Sequence, residues 1–250
     1  MLVPLEAFFG PFEPIAGRQV FFAPNPGNVG DYLIESATRQ LFRVYGVTVV
    51  EDLEAADALV VGGGGSWGNQ YSWISERRQA TIDTADSLRM PVIVFPQSVR
   101  WPDREPVSSA ISRFFARERA SQVLVPRSEL APDPAMAYTP AHRFSRGVGV
   151  GMHLRTGPEA LFDCATPKNA GDPTGCIPYV SKQSAVDEYV RLAARYERVV
   201  TDRLHFAMAA LIAGRHATLL PNVYHKNRSM YETWLKELGC DWAATPKDAL

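Results

Sequence analysis

The sequence predicts an α/β fold built mainly on parallel sheets. Short apolar runs alternate with longer stretches at helical spacing along the 250-residue chain, which is the pattern of repeated strand–helix–strand units. Glycine-rich or polar segments directly follow the apolar runs, as in loops at the carboxyl ends of parallel strands. A proline-rich stretch over residues 132–140 interrupts the alternation. We therefore expect two domains, residues 1–135 and 136–250.

The first half is predicted to begin with a strand, Gln19–Ala23, and a loop. A helix over 31–45 follows, in which apolar residues recur every three or four positions until Gly46. The remaining strands are expected at 47–50, Ala58–Val61, 91–95 and 122–125, and the remaining helices at 74–88 and 108–119.

The second half repeats the alternation without an internal sequence repeat. Residues 157–178 are rich in Gly, Pro, Asp and Thr and are predicted to form a loop. Strands are expected at 147–154, 198–200 and 216–220, and helices at 181–196, 203–213 and 226–238.

The composition excludes several classes of protein. Hydrophobic residues make up 46% and charged residues 21% of the chain, so disorder is not expected. Lys and Arg total 26 against 27 Asp and Glu, and without a basic run nucleic acid is not an expected partner. The apolar runs fall far below the roughly 20 residues that span a bilayer. Residues 1–17 lack an early Lys or Arg, so we expect no secretory signal and a cytoplasmic location.

The cysteines and histidines give no metal-site pattern. The three cysteines, Cys164, Cys176 and Cys240, form no CxxC pair, which argues against zinc and disulfide frameworks. The histidines at positions 142, 153 and 216 have no ligand spacing. We expect no metal.

Residues 201–205, Thr-Asp-Arg-Leu-His, form the most informative segment. Thr201 or Asp202 is expected to cap a helix, which places Arg203 and His205 in its first turn. Free N–H groups and the helix dipole favour an anion there, Arg203 can bind it bidentately, and His205 can donate a proton near neutral pH. The structural alternative is that Arg203 pairs with an acidic neighbour and His205 is a half-buried packing residue.

Other polar residues follow predicted strands. Arg155, and Lys226 after a loop containing Asn222, could bring further cations to the same anion, although such residues are more often surface charges. Asn28 and Asp31 could cap a helix or bind a hydroxyl, and the glycines permit close approach of a ligand or a second backbone. A turn is the structural alternative for these loops. The candidates in the first half are Asn28, Asp31, Gly63, Gly64, Gln97, Ser98 and Arg127.

These segments, taken in order, resemble the polysaccharide pyruvyl transferase family. The matching pieces are Asn28-Val-Gly-Asp31, Gly62 to Gly65, Pro96-Gln97-Ser98, Arg127-Ser128, Pro132-Asp-Pro-Ala135, Arg155, Thr201-Asp-Arg-Leu-His205, Asn222-Val-Tyr-His-Lys226 and Tyr231-Glu-Thr-Trp234. Three positions depart from the pattern, because Phe206 and His225 stand where the family often has Gly, and Ser128 follows Arg127 where the family often has Asp.

The resemblance implies two Rossmann-like domains facing a cleft, as in GT-B glycosyltransferases, with residues 1–135 on the acceptor side and 136–250 on the donor side. It also implies transfer of pyruvate from phosphoenolpyruvate, without a cofactor, onto a sugar as a ketal. The sugar acceptor would belong to a polysaccharide or glycolipid precursor, and the enzyme would work in the cytoplasm or peripherally at the inner face of the membrane.

The same resemblance assigns expected roles to the candidates. His205 would be the general acid and Arg203 would contact the donor. Arg155, Asn222 and Lys226 would complete the donor site, while the first-half candidates would bind the acceptor or line the cleft. A GT-B-type glycosyltransferase using a nucleotide sugar, and a non-catalytic glycan- or anion-binding protein, remain alternatives on the same scaffold.

Overall fold

The computed structural model describes residues 1–68, 72–100, 107–163, 165–175, 177 and 180–250. Packing divides the chain into two units. The N-terminal unit comprises Val3–Pro26 and Ala37–Ala137, and the C-terminal unit comprises Met1–Leu2, Gly27–Ser36 and Tyr138–Leu250. Residues 27–36 therefore belong with the second half of the chain, which a single division at residue 135 does not anticipate.

The N-terminal unit contains a parallel sheet that has seven strands within the described residues. Its order is β2-β1-β3-β5-β6-β7, and β4 also pairs with β5. The strands are β1 (Gln19–Ala23), β2 (Thr48–Val50), β3 (Ala58–Val61), β4 (Gly64–Trp67), β5 (Val92–Val99), β6 (Ile111–Ala116) and β7 (Glu129–Leu130). The α-helices that begin in the first half are α1 (Phe9–Phe12), α2 (Val29–Val44), α3 (Ser72–Ser87) and α4 (Arg119–Leu124), with 3-10 turns at Leu5–Phe8, Glu13–Ile15, Leu53–Ala55 and Pro134–Ala137.

The C-terminal unit contains a four-stranded parallel sheet within the described residues, in the order β11-β10-β9-β8. The strands are β8 (Val150–His153), β9 (Arg198–Thr201), β10 (His216–Leu219) and β11 (Cys240–Trp242). The helices are α5 (Lys182–Ala194), α6 (Leu204–Ile212) and α7 (Lys226–Met230), and α7 continues through a π turn (Tyr231–Leu235) and a 3-10 turn (Lys236–Leu238). Gly239, with φ 80°, ends this last helical stretch.

The parallel, Rossmann-like α/β fold class is confirmed, because every strand pair in the described part of both sheets is parallel. The strands at 19–23 and 58–61 have the predicted bounds. β3 and β5 are buried along their whole length, as expected for central strands covered on both faces. Strands β4, β7 and β11 were not predicted.

Two predicted elements between residues 108 and 125 are wrong. The predicted helix over 108–119 contains strand β6, and the predicted strand over 122–125 overlaps α4. Phe114, Phe115 and Ala116 are consecutive and buried, which is typical of a central strand. A short apolar run does not distinguish a strand from a buried helix by periodicity alone. Arg127 therefore follows a helix and not a strand.

Residues 96–98 do not form the turn that was considered, because β5 runs through them to Val99. The β5–β6 register shifts between Val94 and Gln97. Proline cannot donate a ladder hydrogen bond and is tolerated within a sheet at such irregularities. Pro96 thus marks a shift in the strand and not its end.

A buried network of charges holds the carboxyl ends of β5 and β6. Arg117, Glu118 and Asp133 are all 0% exposed. The Arg117 Nη1 and Asp133 Oδ2 atoms are 2.7 Å apart, and Arg117 Nε donates to Ser98 Oγ at 2.7 Å. The Ser98 hydroxyl in turn donates to Glu118 Oε2 at 2.8 Å. Arg117 Nε also lies 3.8 Å from Glu118 Oε2, so one guanidinium is shared by two buried carboxylates, and its removal would leave both uncompensated.

We expect Asp133→Ala to destabilise the protein by about 2 kcal/mol, because Arg117 Nη1 would lose its buried, charged hydrogen-bond acceptor while Glu118 stays beside the guanidinium. The matched control is Glu129→Ala, which breaks the partly exposed ion pair with Arg113 and should cost less than about 1 kcal/mol. Urea denaturation of both variants checks the prediction, and equal losses of stability would contradict it.

Candidate functional site

The candidate site lies in the C-terminal unit, at the carboxyl ends of β8, β9 and β10. Arg155 follows β8 closely, Asp202 and Arg203 follow β9, and Asn222 follows β10. In parallel sheets these loops lie at the same edge, where ligands bind. The structure therefore brings together the predicted residues of the second half.

Arg203 is held by a bidentate ion pair with Asp172. Arg203 Nε donates to Asp172 Oδ1 at 3.0 Å, its Nη2 donates to Asp172 Oδ2, and Nη2 also donates to Thr174 Oγ1 at 3.2 Å. Burial raises the pKa of Asp172, but the hydrogen bonds and charge of Arg203, with the N–H groups of Thr156 and Thr174, hold it at about 2. The acidic neighbour considered as an alternative for Arg203 exists, and it fixes the orientation of the guanidinium.

Arg203 is the N-cap residue of α6, and its N–H donates to Thr201 Oγ1 at 3.0 Å. The prediction that Thr201 or Asp202 caps this helix, with Arg203 in its first turn, is therefore wrong, because Arg203 itself occupies the cap position and α6 begins at Leu204. His205 lies in the first turn of the nine-residue helix, as predicted. His205 is partly exposed, so it lies at the surface of the site.

Arg155 and Lys226 share a second buried carboxylate, Glu159. Glu159 Oε2 accepts from Lys226 Nζ at 2.9 Å and from Arg155 Nη1. Burial raises the pKa of Glu159, but the charges and hydrogen bonds of Lys226 and Arg155 outweigh burial and hold it at about 2. One carboxylate thus places two cations side by side.

Asp202 is a different kind of carboxylate, because no side-chain cation is hydrogen-bonded to it within the described residues. Its Oδ1 accepts from the backbone N–H of Arg155 at 2.8 Å. Burial raises the pKa of Asp202 to about 6, although the Arg155 N–H and the charges of Arg155 and Arg203 lower it. Asp202 is therefore mostly ionised at neutral pH and becomes protonated as the pH falls below about 6.

Asn227 connects the ends of β9 and β10 to α7. Its Nδ2 donates to the carbonyl oxygens of Asp202 and Leu220 at 2.8 and 2.9 Å, and its backbone N–H donates to Asn222 Oδ1 at 3.4 Å. Asn227 is fully buried. Its hydrogen bonds therefore hold the Asn222 side chain and the Asp202 backbone in position.

Several buried polar atoms of this cluster have no hydrogen-bond partner within the described residues. They are Arg155 Nε, Asn222 Nδ2, Asp202 Oδ2 and Asn227 Oδ1. Buried polar groups are nearly always hydrogen-bonded, and an orphaned one is costly. Two donors and two acceptors in one connected network indicate a place where a polar ligand group gains hydrogen bonds.

The segment 27–36 contacts His205 within the C-terminal unit. A Cβ atom built on Gly30 would lie 2.7 Å from His205 Nδ1. Asn28 Oδ1 accepts from the Gly30 N–H at 2.8 Å, and Asp31 Oδ2 accepts from the Asn28 N–H at 2.9 Å. Asn28 and Asp31 thus form the helix-capping turn that was considered for them, and that turn lies beside His205.

The glycine-rich segment and Gln97 lie in the interior of the N-terminal unit. Gln97 Nε2 and Asn25 Nδ2 donate to the Gly62 carbonyl at 2.6 and 3.0 Å, and Asn25 Nδ2 also donates to the Gly63 carbonyl at 2.9 Å. A Cβ on Gly63 would lie 2.9 Å from the Pro96 carbonyl oxygen. Close backbone approach explains the glycine at this position.

The other first-half candidates have structural partners as well. Gly64 pairs with Gln97 in the sheet and is buried, and Ser98 bonds to Arg117 and Glu118. Arg127 is exposed and donates to the Val107 and Ser108 carbonyls at 3.1 and 2.6 Å. Their proposed roles toward an acceptor stay predictions.

Sequence reasoning missed Glu159, Asp172 and Asn227. Glu159 and Asp172 lie in the loop region that has no hydrophobic periodicity, so only tertiary contacts bring them to the cations. Asn227 lies one residue after the predicted Lys226, and nothing in the sequence distinguishes it from other polar residues near a helix start.

Phe206, which stands where the related family often has Gly, is a core residue. Its ring centroid lies 5.0 Å from those of His153 and Tyr189.

No helix in the described ranges is long and apolar enough to span a membrane. In the same part of the chain, His, Cys, Asp and Glu side chains form no group of three or more that could hold a metal ion. The cysteines at 164 and 176 lie outside the described residues, and Cys240 is a buried free thiol.

Comparisons with known proteins agree with this picture. Residues 28–222 match the family model described as "Polysaccharide pyruvyl transferase". A curated relative from Bacillus subtilis (strain 168), named "Putative pyruvyl transferase EpsO", is 23% identical over 279 residues, covering 87% of this chain and 86% of the relative. The crystal structure of "a functional uncharacterized protein KP1_0663" from Klebsiella pneumoniae matches with a TM-score of 0.71 and 19% identity, over 93% of this chain and 95% of that chain.

The fold and the family match together define a transferase with two Rossmann-like α/β units. The solved neighbour supports the fold alone. The chain belongs to the polysaccharide pyruvyl transferase family, since the family model covers most of its length.

We expect Asp202→Asn to raise the free energy of unfolding by about 2–3 kcal/mol at pH 7–8. The folded pKa of about 6 lies above the reference value of 3.8, so ionisation of Asp202 destabilises the fold as pH rises from about 4 to above 6. Asparagine keeps the oxygen that accepts from Arg155 and removes the charge.

Urea denaturation of wild type and Asp202→Asn from pH 4 to 8 checks this prediction. The gain should shrink to about 0.5 kcal/mol near pH 4, because Asp202 is protonated in the folded state and about half protonated in the unfolded state there. Asp241→Asn, at an exposed position of β11, is the control and should change stability little. A pH-independent difference for Asp202→Asn would contradict the assigned cause.

Proposed function

We propose that this chain transfers pyruvate from phosphoenolpyruvate to two hydroxyls of a sugar, forming a ketal and releasing phosphate. The observation that carries the proposal is the set of oriented cations and orphaned buried donors at the carboxyl ends of β8, β9 and β10. Membership of the pyruvyl transferase family supports the transferred group. The sugar belongs to a polysaccharide or glycolipid precursor, free or lipid-linked, at the cytoplasmic side.

The donor carries a carboxylate and a phosphate, and the site offers complementary groups. Arg203 binds one anionic group beside the first turn of α6, where N–H groups and the helix dipole add to the attraction. Arg155 and Lys226 bind the other. Arg155 Nε and Asn222 Nδ2 have no partner within the described residues, so they gain hydrogen bonds when donor oxygens arrive.

The charges of the cluster nearly balance at neutral pH, so the anion is bound by oriented groups and not by a large net positive charge. Arg155, Lys226 and Arg203 supply three positive charges, while Glu159 and Asp172 remove two. Asp202, with a pKa of about 6, adds a third negative charge at neutral pH and loses it as the pH falls below 6. The carboxylates thus hold the cations in place before the donor binds, which lowers the entropic cost of ordering them.

His205 acts as the general acid in the proposed reaction. It protonates the methylene carbon of phosphoenolpyruvate, which creates an oxocarbenium-like centre at the neighbouring carbon. One sugar hydroxyl attacks this centre and returns its proton to His205. Phosphate then leaves, and the second hydroxyl closes the ketal and gives its proton to the departing phosphate. The scheme needs no metal or cofactor.

The acceptor is assigned to Asn28, Asp31 and the N-terminal unit. The residues proposed in that unit are Gly63, Gly64, Gln97, Ser98 and Arg127. Of these five, Arg127 is exposed and the others are buried. In this proposal the buried residues shape the backbone of the acceptor region, and Arg127 is the candidate for direct contact.

The first experiment measures thermal stability with phosphoenolpyruvate and with a panel of nucleotide sugars. At about 100 times the dissociation constant, a ligand stabilises the fold by roughly 2.7 kcal/mol. We expect this shift with phosphoenolpyruvate in wild type and in His205→Gln. It should vanish in Arg203→Gln/Asp172→Asn, a double variant that removes both charges of the ion pair and leaves neither unpaired.

Turnover separates binding from catalysis. With an acceptor found by screening, His205→Gln should lower kcat by about 100-fold or more while changing donor affinity little. Arg228→Ala, at an exposed residue paired with Glu232, is the control. A stability shift with a nucleotide sugar and none with phosphoenolpyruvate would replace the proposal by glycosyl transfer. Glycan binding with neither donor would indicate a non-catalytic protein.

A further inference from the structure

We propose that Gly30 is a positioning residue for His205, so that the turn Asn28–Asp31 belongs to the proton-donor side of the site. The inference rests on the proposed function, because it concerns the orientation of the proposed general acid. The absence of a side chain at Gly30 lets the first turn of α2 pack against the imidazole. Space for the imidazole explains why this residue is glycine, whereas the backbone conformation at this position does not.

The backbone at Gly30 is open to any residue. Gly30 is the second residue of α2 and is not among the residues with positive φ. Glycine destabilises a helix relative to alanine, so its presence in the first turn of a 16-residue helix needs another reason. The neighbouring side chain supplies that reason.

The contact is with His205 itself. A Cβ on Gly30 would lie 2.7 Å from His205 Nδ1 and 3.2 Å from His205 Cβ. The first distance is shorter than real Cβ contacts, so the imidazole or the helix would have to move. Gly30 is buried, while His205 is partly exposed. The imidazole is therefore the more exposed side of this contact, and its displacement would change where the proton is delivered.

The turn that carries Gly30 has little freedom to withdraw. Asn28 Oδ1 accepts from the Gly30 N–H, and Asp31 Oδ2 accepts from the Asn28 N–H. A Cβ on Gly27 would lie 2.0 Å from Asp31 Oδ2. These two hydrogen bonds within the turn restrict movement of its backbone away from His205.

The first turns of α2 are also anchored to α5. Lys182 Nζ lies 2.7 Å from Glu35 Oε2 and 5.4 Å from the centre of the Tyr32 ring. Helix α5 packs on α6 through Tyr189 and Phe206. Gly30 and His205 are therefore held by helices that contact each other within the C-terminal unit.

Gly30→Ala tests the proposal. We expect kcat for pyruvyl transfer to fall about 10- to 100-fold, because a small displacement of a catalytic group has effects of this size. The KM for phosphoenolpyruvate should stay within about threefold, since the cations are untouched. Ser36→Ala, which also raises helix propensity on the same helix, should leave kcat unchanged. An unchanged kcat in Gly30→Ala would overturn the proposal.

A second readout does not depend on the reaction. In the wild-type background, the added methyl should fail to raise Tm, because it presses on the imidazole. In the His205→Ala background the imidazole is gone while the Cβ atom at 205 remains, so the change of Tm caused by Gly30→Ala should be more favourable than in wild type. Equal changes of Tm in the two backgrounds would refute the contact.

The two proposals fail in different ways. Histidine side-chain NMR should show the His205 ring resonances of Gly30→Ala shifted from those of wild type, with the other histidines unmoved. Absence of phosphoenolpyruvate binding or turnover in wild type, with the His205 shift and the Tm cycle as expected, would reject the reaction and keep the contact. Turnover in wild type with unmoved His205 resonances would reject the positioning role alone.

Discussion

The site of the C-terminal unit depends on two buried carboxylates that hold three cations. Both carboxylate oxygens of Asp172 accept hydrogen bonds from Arg203, and Glu159 binds Arg155 and Lys226. Buried cations without such partners would be unstable in the interior. The carboxylates also restrict the rotamers of long, flexible side chains. A site that must recognise an anion at fixed positions therefore needs acidic residues as much as basic ones.

Backbone anchoring completes this arrangement. Asp202 receives the Arg155 N–H, and Asn227 receives its orientation from the carbonyls that follow β9 and β10. The strand ends are thus connected to one another through side chains and not only through the sheet. The N-terminal unit uses the same principle, since Arg117, Ser98 and Asp133 connect the ends of β5 and β6 to the following 3-10 turn. In both units, buried polar side chains replace the sheet hydrogen bonds where the strands stop.

The predictable part of this structure is the part that local pattern controls. The apolar strands, the helix after Thr201 and the edge on which Arg155, Arg203 and Lys226 meet follow from periodicity and from parallel topology. Asp172 and Glu159 could not be identified, because a loop without periodicity carries no information about which cation it will meet. The sequence predicts a helix over 108–119 where strand β6 lies, because a short apolar run does not by itself distinguish a strand from a buried helix. The extension of β5 through Pro96 depends on a register shift in the neighbouring strand, which the sequence of β5 alone does not encode.

The position of residues 27–36 shows why chain order is a poor guide to the role of a segment. These residues precede most of the N-terminal sheet, yet they pack in the C-terminal unit, where Gly30 meets His205. Helix α2 has 16 residues, and its first two turns and its remainder belong to different units. The start of this helix therefore carries Gly30, a residue from the first half of the sequence, into the C-terminal unit beside His205. Because the helix is a rigid element, the turn at its start cannot shift independently of the anchoring by Lys182, Glu35 and Tyr32. The assignment of Asn28 and Asp31 to an acceptor must accordingly be compatible with a location beside the proposed general acid, where an attacking hydroxyl would also have to arrive.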